Sequence, residues 1–222
     1  MAVIKAKGMD VSYAQGTINW QRVKASGQVD FAMLRATASY PSGKASGIDR
    51  KWMENVRGAS AAGVPLGIYH YSYSSCAAES KLEAAHFLHT IHGYRPEYPV
   101  AFDFEEPKQL ALPLPQQMEI IDAFLQEVED AGYYAVLYMS ASAMKRLLSA
   151  FPDRMARYDR WVAHVGVATP MVQGGLWQYS WKGSIPGIRD GLPAGHPDKC
   201  VDLDYAYKDY PTIIKGAKRN GF

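Results

Sequence analysis

The sequence predicts an α/β protein built as one barrel of eight strands. Three observations predict it. Short, nearly continuous apolar strands alternate with amphipathic helices through the first two thirds of the chain, which implies strands buried on both faces. Polar and aromatic residues collect where those strands end, the place where such barrels keep their working groups. The length, 222 residues at 48% hydrophobic, suits one well-cored domain covering 1–222, and no repeat, low-complexity run or linker divides it.

Gly8-Met9-Asp10-Val11-Ser12-Tyr13 reads as a first strand stopped by Gly16, and Thr17 to Lys24 as a helical turn carrying Trp20 and Val23. Asp30 to Thr37 is a second strand, apolar until Arg35, followed by a Ser- and Gly-rich loop from Ser39 to Gly47. Asp49 is placed to cap a helix running to Ala62. Val64 to Tyr73 gives the third strand. In the helix from Ala77 to His92, Ala84, Phe87, Leu88 and Ile91 fall at helical spacing. The fourth strand begins at Tyr98. A Pro-bearing loop, Glu106 to Pro115, leads to a helix at Gln116 to Ala131, striped by Ile121, Phe124, Leu125 and Val128 and ended by Gly132. Tyr134 to Met139 is the fifth strand and Ala143 to Ala150 its helix. After Pro152 the rhythm changes: Arg160–Val165, Leu176–Ser180 and Cys200–Tyr205 read as strands joined by Gly- and Pro-rich loops without full helices.

The stretch Tyr98-Pro-Val-Ala-Phe-Asp-Phe-Glu-Glu-Pro107 organises the rest. It starts as an apolar strand and ends in acids. Residues two apart on a strand face the same side, so Asp103 and Glu105 are expected to project together, roughly 6–7 Å apart along the backbone. Burying carboxylates is costly unless they are used. Two acids on one face also push two pKa values apart, leaving one proton donor and one anion. Asp10, Arg35, His70, Tyr138, His164, Gln178, Asp202 and Asp204 fall at other strand ends. Acids and aromatics around one mouth suit a sugar, whose ring faces stack on aromatics while polar groups fix its hydroxyls.

With 24 basic and 22 acidic residues spread along the chain, the net charge of +2 gives no reason to expect nucleic acid or an anionic membrane as partner. The N-terminus lacks a signal-peptide run, and no segment approaches the ~20 apolar residues of a membrane span. Synthesis in the cytoplasm is expected. Cys76 and Cys200 show no metal spacing and read as free thiols, with a disulfide between them left open. His86, His89 and His92 spread over a wide helical arc and read as a solvated face, not a zinc site. Neither a metal nor another cofactor is expected.

Taken together, several motifs resemble the glycoside hydrolase family 25 lysozymes. They are Asp10-Val11-Ser12 with Gln15-Gly16 and Trp20, Arg35-Ala36-Thr37, Gly67-Ile68-Tyr69-His70-Tyr71, Asp103-x-Glu105, Trp177-Gln178-Tyr179 and Val201-Asp202-Leu203-Asp204. The resemblance runs in the family's order from Asp10 to about Tyr205. It implies a flattened TIM-like (β/α)5(β)3 barrel. The implied activity is cleavage of the β-1,4 bond between N-acetylmuramic acid and N-acetylglucosamine in peptidoglycan. The chain looks like a phage endolysin reduced to its catalytic domain, with no separate wall-binding domain, acting as a monomer on glycan strands after holin-dependent or similar release. Three positions depart from the family pattern: Asn19 stands in place of Asp, Tyr71 in place of Phe and Asp204 in place of Asn.

The resemblance assigns Glu105 as general acid, and Asp103 as nucleophile or as the carboxylate that orients the substrate's acetamido group. Asp10 and Asp202 flank them from the first and last strands, neighbours once a barrel closes, and Asp204 adds a further acid at the substrate. Arg35, Tyr71, Tyr138, Trp177 and Tyr179 are candidate subsite walls, and His70 and His164 read as partners of the acids. Glu106 is read as pointing the other way on the strand, solvated or structural. Two other readings use the same acids: a metal-dependent polysaccharide deacetylase, with Asp10, Asp103, Glu105 and Asp202 as oxygen ligands, and a non-catalytic wall-binding module.

Overall fold

The computed structural model describes residues 3–41, 46–190 and 200–222. The middle of the Ser/Gly-rich loop after the second strand and most of the Gly/Pro-rich connection before the last one lie outside them. Eight strands close into a barrel in sequence order: β1 (Ala6–Val11), β2 (Phe31–Ala38), β3 (Leu66–Tyr71), β4 (Val100–Asp103), β5 (Ala135–Ser140), β6 (Asp159–Ala163), β7 (Leu176–Gly183) and β8 (Val201–Ala206). Neighbours from β1 to β7 run parallel, while β8 is antiparallel to both β7 and β1. The reversal of β8 matters for the site. The mouth of the barrel receives the C-terminal ends of β1–β7 but the N-terminal end of β8, which places Asp202 level with Asp10 and Asp204 two residues deeper, level with Gly8.

The helices α1 (Trp20–Ala25), α2 (Trp52–Ala61), α3 (Ala77–Ile91), α4 (Pro107–Leu110), α5 (Leu114–Asp130), α6 (Ala141–Ala150), α7 (Pro152–Ala156) and α8 (Tyr210–Gly216) complete the fold. On α5 the expected stripe of Ile121, Phe124, Leu125 and Val128 is buried, and Gly132 follows at φ 87°. On α3 the buried face is Ser80, Glu83, Ala84, Phe87 and Ile91. The Ser80 hydroxyl donates to the Ile120 carbonyl of α5 at 2.7 Å, locking the two helices together. Asp49 does not cap α2. It closes the preceding turn by accepting from Lys51 N at 2.8 Å, and its other oxygen takes Tyr13 N and Arg35 Nε. No full helix joins β6 to β7, as the change of rhythm after Pro152 predicts.

Inside the barrel, Phe31, Met33, Tyr69, Ala101, Val136, Trp161, Leu176 and Ala206 form one packed cluster, while the outward residues pack beneath the helices in another. Large rings fit in so narrow a space only where a facing residue lacks a side chain. A Cβ on Gly8 would stand 2.2 Å from the Phe31 ring, and one on Gly67 would stand 2.2 Å from Met33 Sδ. At the closed end, Tyr98 stacks on Phe31 at 4.0 Å, and buried Asn220 binds the carbonyls of Pro96 and Tyr98. Cys76 and Cys200 are free thiols, both half-buried. No helix among the described residues is long and apolar enough to cross a membrane.

Candidate active site

The pleat of each strand decides which side chains reach the mouth. Asp103 ends β4, paired in register with Tyr71 of β3 on one side and Tyr138 of β5 on the other. Across the closing seam, Asp10 pairs with Asp202 and Gly8 with Asp204. Asp10, Asp103 and Asp204 are buried; Glu105 and Asp202 are half-buried and line an open cleft of about 610 Å³, together with Tyr138, Ser142, Met171 and Trp181. β4 stops at Asp103, but the alternation of sides continues past it: Phe104 packs into the outer core and Glu105 returns to the cleft, on the short segment that leads to Pro107, the first residue of α4.

Gln178 joins the two sides of the mouth. Its Nε2 donates to Asp10 Oδ2 at 2.8 Å, with Asp202 Oδ2 at 3.5 Å, and its Oε1 accepts from Tyr138 Oη at 2.9 Å and Trp181 Nε1 at 3.0 Å. Below it, Trp161 Nε1 donates to Asp204 Oδ1 at 2.7 Å. Among the described residues, Asp103 Oδ1 and Asp204 Oδ2 have no hydrogen-bond partner. Tyr71 Oη donates to Glu106 Oε2 at 3.2 Å, which gives Glu106 a structural part in holding the Tyr71 ring.

Burial and like charge push the acids up. Burial raises Asp103 well above the ordinary carboxylate range, Glu105 raises it further, and Arg35 opposes them. Burial and then Asp202 raise Glu105, against a hydrogen bond from Tyr138. Asp10 rises through burial, Asp204 and Asp202, with Gln178 opposing. Burial brings Asp202 to about 6 and Asp204 to about 8. Crowded into one low-dielectric pocket, each of these carboxyls disfavours the ionisation of its neighbours, the condition that lets one act as proton donor beside another that is charged.

Not every expected residue joins the acids. Gln178 faces inward, so its neighbours face out: Trp177 and Tyr179 lie on the outer surface of β7 and line a separate cavity of about 340 Å³ with Tyr205 and Tyr207. Trp177 Nε1 donates to the His164 carbonyl there. Arg35 points inward, but its Nε is taken by Asp49 at 2.8 Å and its guanidinium lies 4.9 Å from the Tyr13 ring centre. It acts on Asp103 through its charge. Neither histidine partners a site acid. His70 faces outward between Phe102 and Phe124, and His164 Nδ1 accepts from Met171 N. His164 lines the cleft with Glu105 and Asp202, while His70 lies behind the barrel wall among the outer aromatic rings. Trp181 escapes the strand-period argument because the β7–β8 register shifts after Gln178, returning a residue of the wrong parity to the mouth.

Residues 9–188 match the family described as glycosyl hydrolases family 25. The chain belongs to that family. Among family 25 relatives and related structures, it is 28% identical to lysozyme M1 of Streptomyces globisporus, over 82% of this chain and 64% of that one. It is 27% identical to the autolytic lysozyme of Clostridium acetobutylicum, over 82% and 52% respectively. It thus spans less than two thirds of the length of either relative. A bacterial lysozyme from Streptomyces coelicolor superposes with a TM-score of 0.78 at 26% identity, covering 95% of this chain and 97% of that one.

Proposed function

We propose that this family 25 barrel hydrolyses the β-1,4 bond between N-acetylmuramic acid and N-acetylglucosamine in peptidoglycan. The observation that carries the reading is the relation of Glu105 to Asp103. Glu105 lines the open cleft with its pKa raised, while Asp103 is buried near enough to feel its charge and has one oxygen without a partner among the described residues. Glu105 is the group able to reach a glycosidic oxygen and protonate it as the bond breaks. Asp103 then takes the anionic role beneath the anomeric carbon, attacking it directly or orienting the substrate's acetamido group to do so. A negative charge fixed in a water-poor pocket stabilises an oxocarbenium-like transition state in either case.

Asp10 and Asp202 hold the acetamido side of the sugar and, with Gln178, set the charge around the central pair. Tyr71, Tyr138 and Trp181 form the ring-binding walls. The partner is the glycan strand, which the enzyme meets once it is released from the cytoplasm.

Digestion of purified walls tests this reading. New reducing ends on muramic acid are expected by mass spectrometry, with clearing unaffected by EDTA. Reducing ends on glucosamine, or cut peptides alone, would overturn it. Glu105→Gln should keep its Tm and lose ~10²–10⁴-fold in rate.

A further inference from the structure

Glu83 is a carboxylate on the inner face of α3, fully buried among Ala84, Phe87 and Ile91, outside the site and unused by the mechanism above. A charge in that position is costly unless its oxygens are fully bonded. They are, and all the bonds go to the exit of β3. Oε2 accepts from Ser72 Oγ at 2.6 Å and lies 3.2 Å from His70 Nε2, while Oε1 accepts from Tyr73 N at 2.9 Å. Burial raises the Glu83 carboxyl, but the adjoining His70 ring and the bonds from Ser72 and Tyr73 outweigh it and hold the group below the usual range.

Ser72 passes this anchorage on in two directions. Its N–H donates to the Asp103 carbonyl at 3.0 Å. Its hydroxyl accepts from Gln109 Nε2 at 2.8 Å, and the same amide reaches the Ser74 carbonyl at 2.8 Å. Gln109 belongs to α4, the helix that begins two residues after Glu105. The short segment bearing Glu105 is therefore tied at both ends to one serine, and that serine is tied to Glu83.

We propose that Glu83, acting through Ser72 and Gln109, is a positioning residue that sets where the Glu105 carboxyl stands in the cleft. This rests on the reading of Glu105 as the general acid. A general acid displaced by about 1 Å forfeits on the order of 10²-fold in rate, so a clamp on its backbone has kinetic consequences without touching substrate.

The test compares Glu83→Gln, Gln109→Met, Thr37→Val and Glu105→Gln. Glu83→Gln keeps the shape but sets an amide N–H against a donor. Gln109→Met cuts the tie to α4, leaves the Glu83–His70 pair intact, and serves if the first variant does not fold. Thr37→Val removes the other partner of the His70 ring, 2.7 Å from Nδ1, and leaves the clamp alone. The expected result is a fall of about tenfold or more in kcat for Glu83→Gln and Gln109→Met, with KM unchanged. The alkaline limb of the pH–rate profile should move as well, because Glu105 shifts relative to Asp202 and Tyr138. Thr37→Val should keep kcat within about twofold. If Glu83→Gln and Gln109→Met lower Tm while kcat and the limb stay put, and Glu105→Gln is inactive, the clamp is refuted and the acid assignment stands. If Glu105→Gln stays active, the acid assignment itself fails, and the clamp with it.

Discussion

Asp10 and Asp202 stand opposite each other across the antiparallel seam that closes the barrel, and the side-chain amide of Gln178 faces both, 2.8 and 3.5 Å away. Two residues from the extreme ends of the sequence thus share one hydrogen-bond donor. The seam is where the chain's closure and its chemistry coincide.

Gln178 is the first residue to test. Gln178→Leu leaves the Tyr138 hydroxyl, the Trp181 ring nitrogen and Asp10 without the partner each has now. Of these, Tyr138 and Asp10 are buried while Trp181 is exposed, and each orphaned buried group costs about 1–3 kcal/mol. A clear drop in Tm is expected, together with loss of clearing activity. An unchanged melting curve would show that Gln178 does not join the two sides of the mouth.

The charge on Asp202 helps Glu105 keep its proton. Asp202→Asn removes that charge, so Glu105 ionises more readily. The alkaline limb of kcat/KM, where the general acid loses its proton, should move to lower pH. A limb that stays in place, or moves upward, contradicts the proposed coupling.

Asp204 titrates near 8 in the folded chain against an ordinary value of 3.8. Between those values the folded state binds more protons than the unfolded one, so this group makes stability fall as pH rises from about 4 to about 8. The slope is at most about 1.4 kcal/mol per pH unit. Asp204→Asn keeps an acceptor for Trp161 and removes the titration. Thermal melts across this range should show a flatter profile for the variant and a higher Tm at pH 8.

Aromatic side chains at the mouth and on the outside of β7 should separate in kinetics. Trp181→Ala strips a wall of the cleft and is expected to weaken productive substrate binding by about tenfold, equivalent to 1.4 kcal/mol. Tyr179→Ser alters only the outer cavity and should leave kcat/KM within about twofold. Steady-state rates on a soluble glycan fragment distinguish them.

Packing inside the barrel makes a further prediction. A methyl group added at Gly8 meets the Phe31 ring, itself held against Tyr98. Gly8→Ala should cost about 1–3 kcal/mol of stability, read by urea denaturation.

Strand and helix order, the buried stripe of α5, the missing helix between β6 and β7 and the mouthward acids were all legible in the sequence. Hydrophobic period, glycine stops and local spacing are short-range properties that the chain carries with it. The same logic put Asp103 and Glu105 on one side. The strand ends at Asp103, and the alternation carried on through Phe104 brings Glu105 to the mouth.

What only the tertiary structure decided depends on contacts between distant segments. The reversal of β8 brings Asp202 to the mouth from the start of a strand, with Asp204 two residues deeper. The inward turn of Gln178 sends Trp177 and Tyr179 outside, and the register shift in β7 returns Trp181 to the cleft. Glu83 looks in sequence like one more solvated helix acid, and it is buried because β3 ends against its carboxylate. A side chain's parity is fixed by local geometry, but which face of the sheet becomes a pocket is fixed by what closes against it. That closure is a property of the whole barrel.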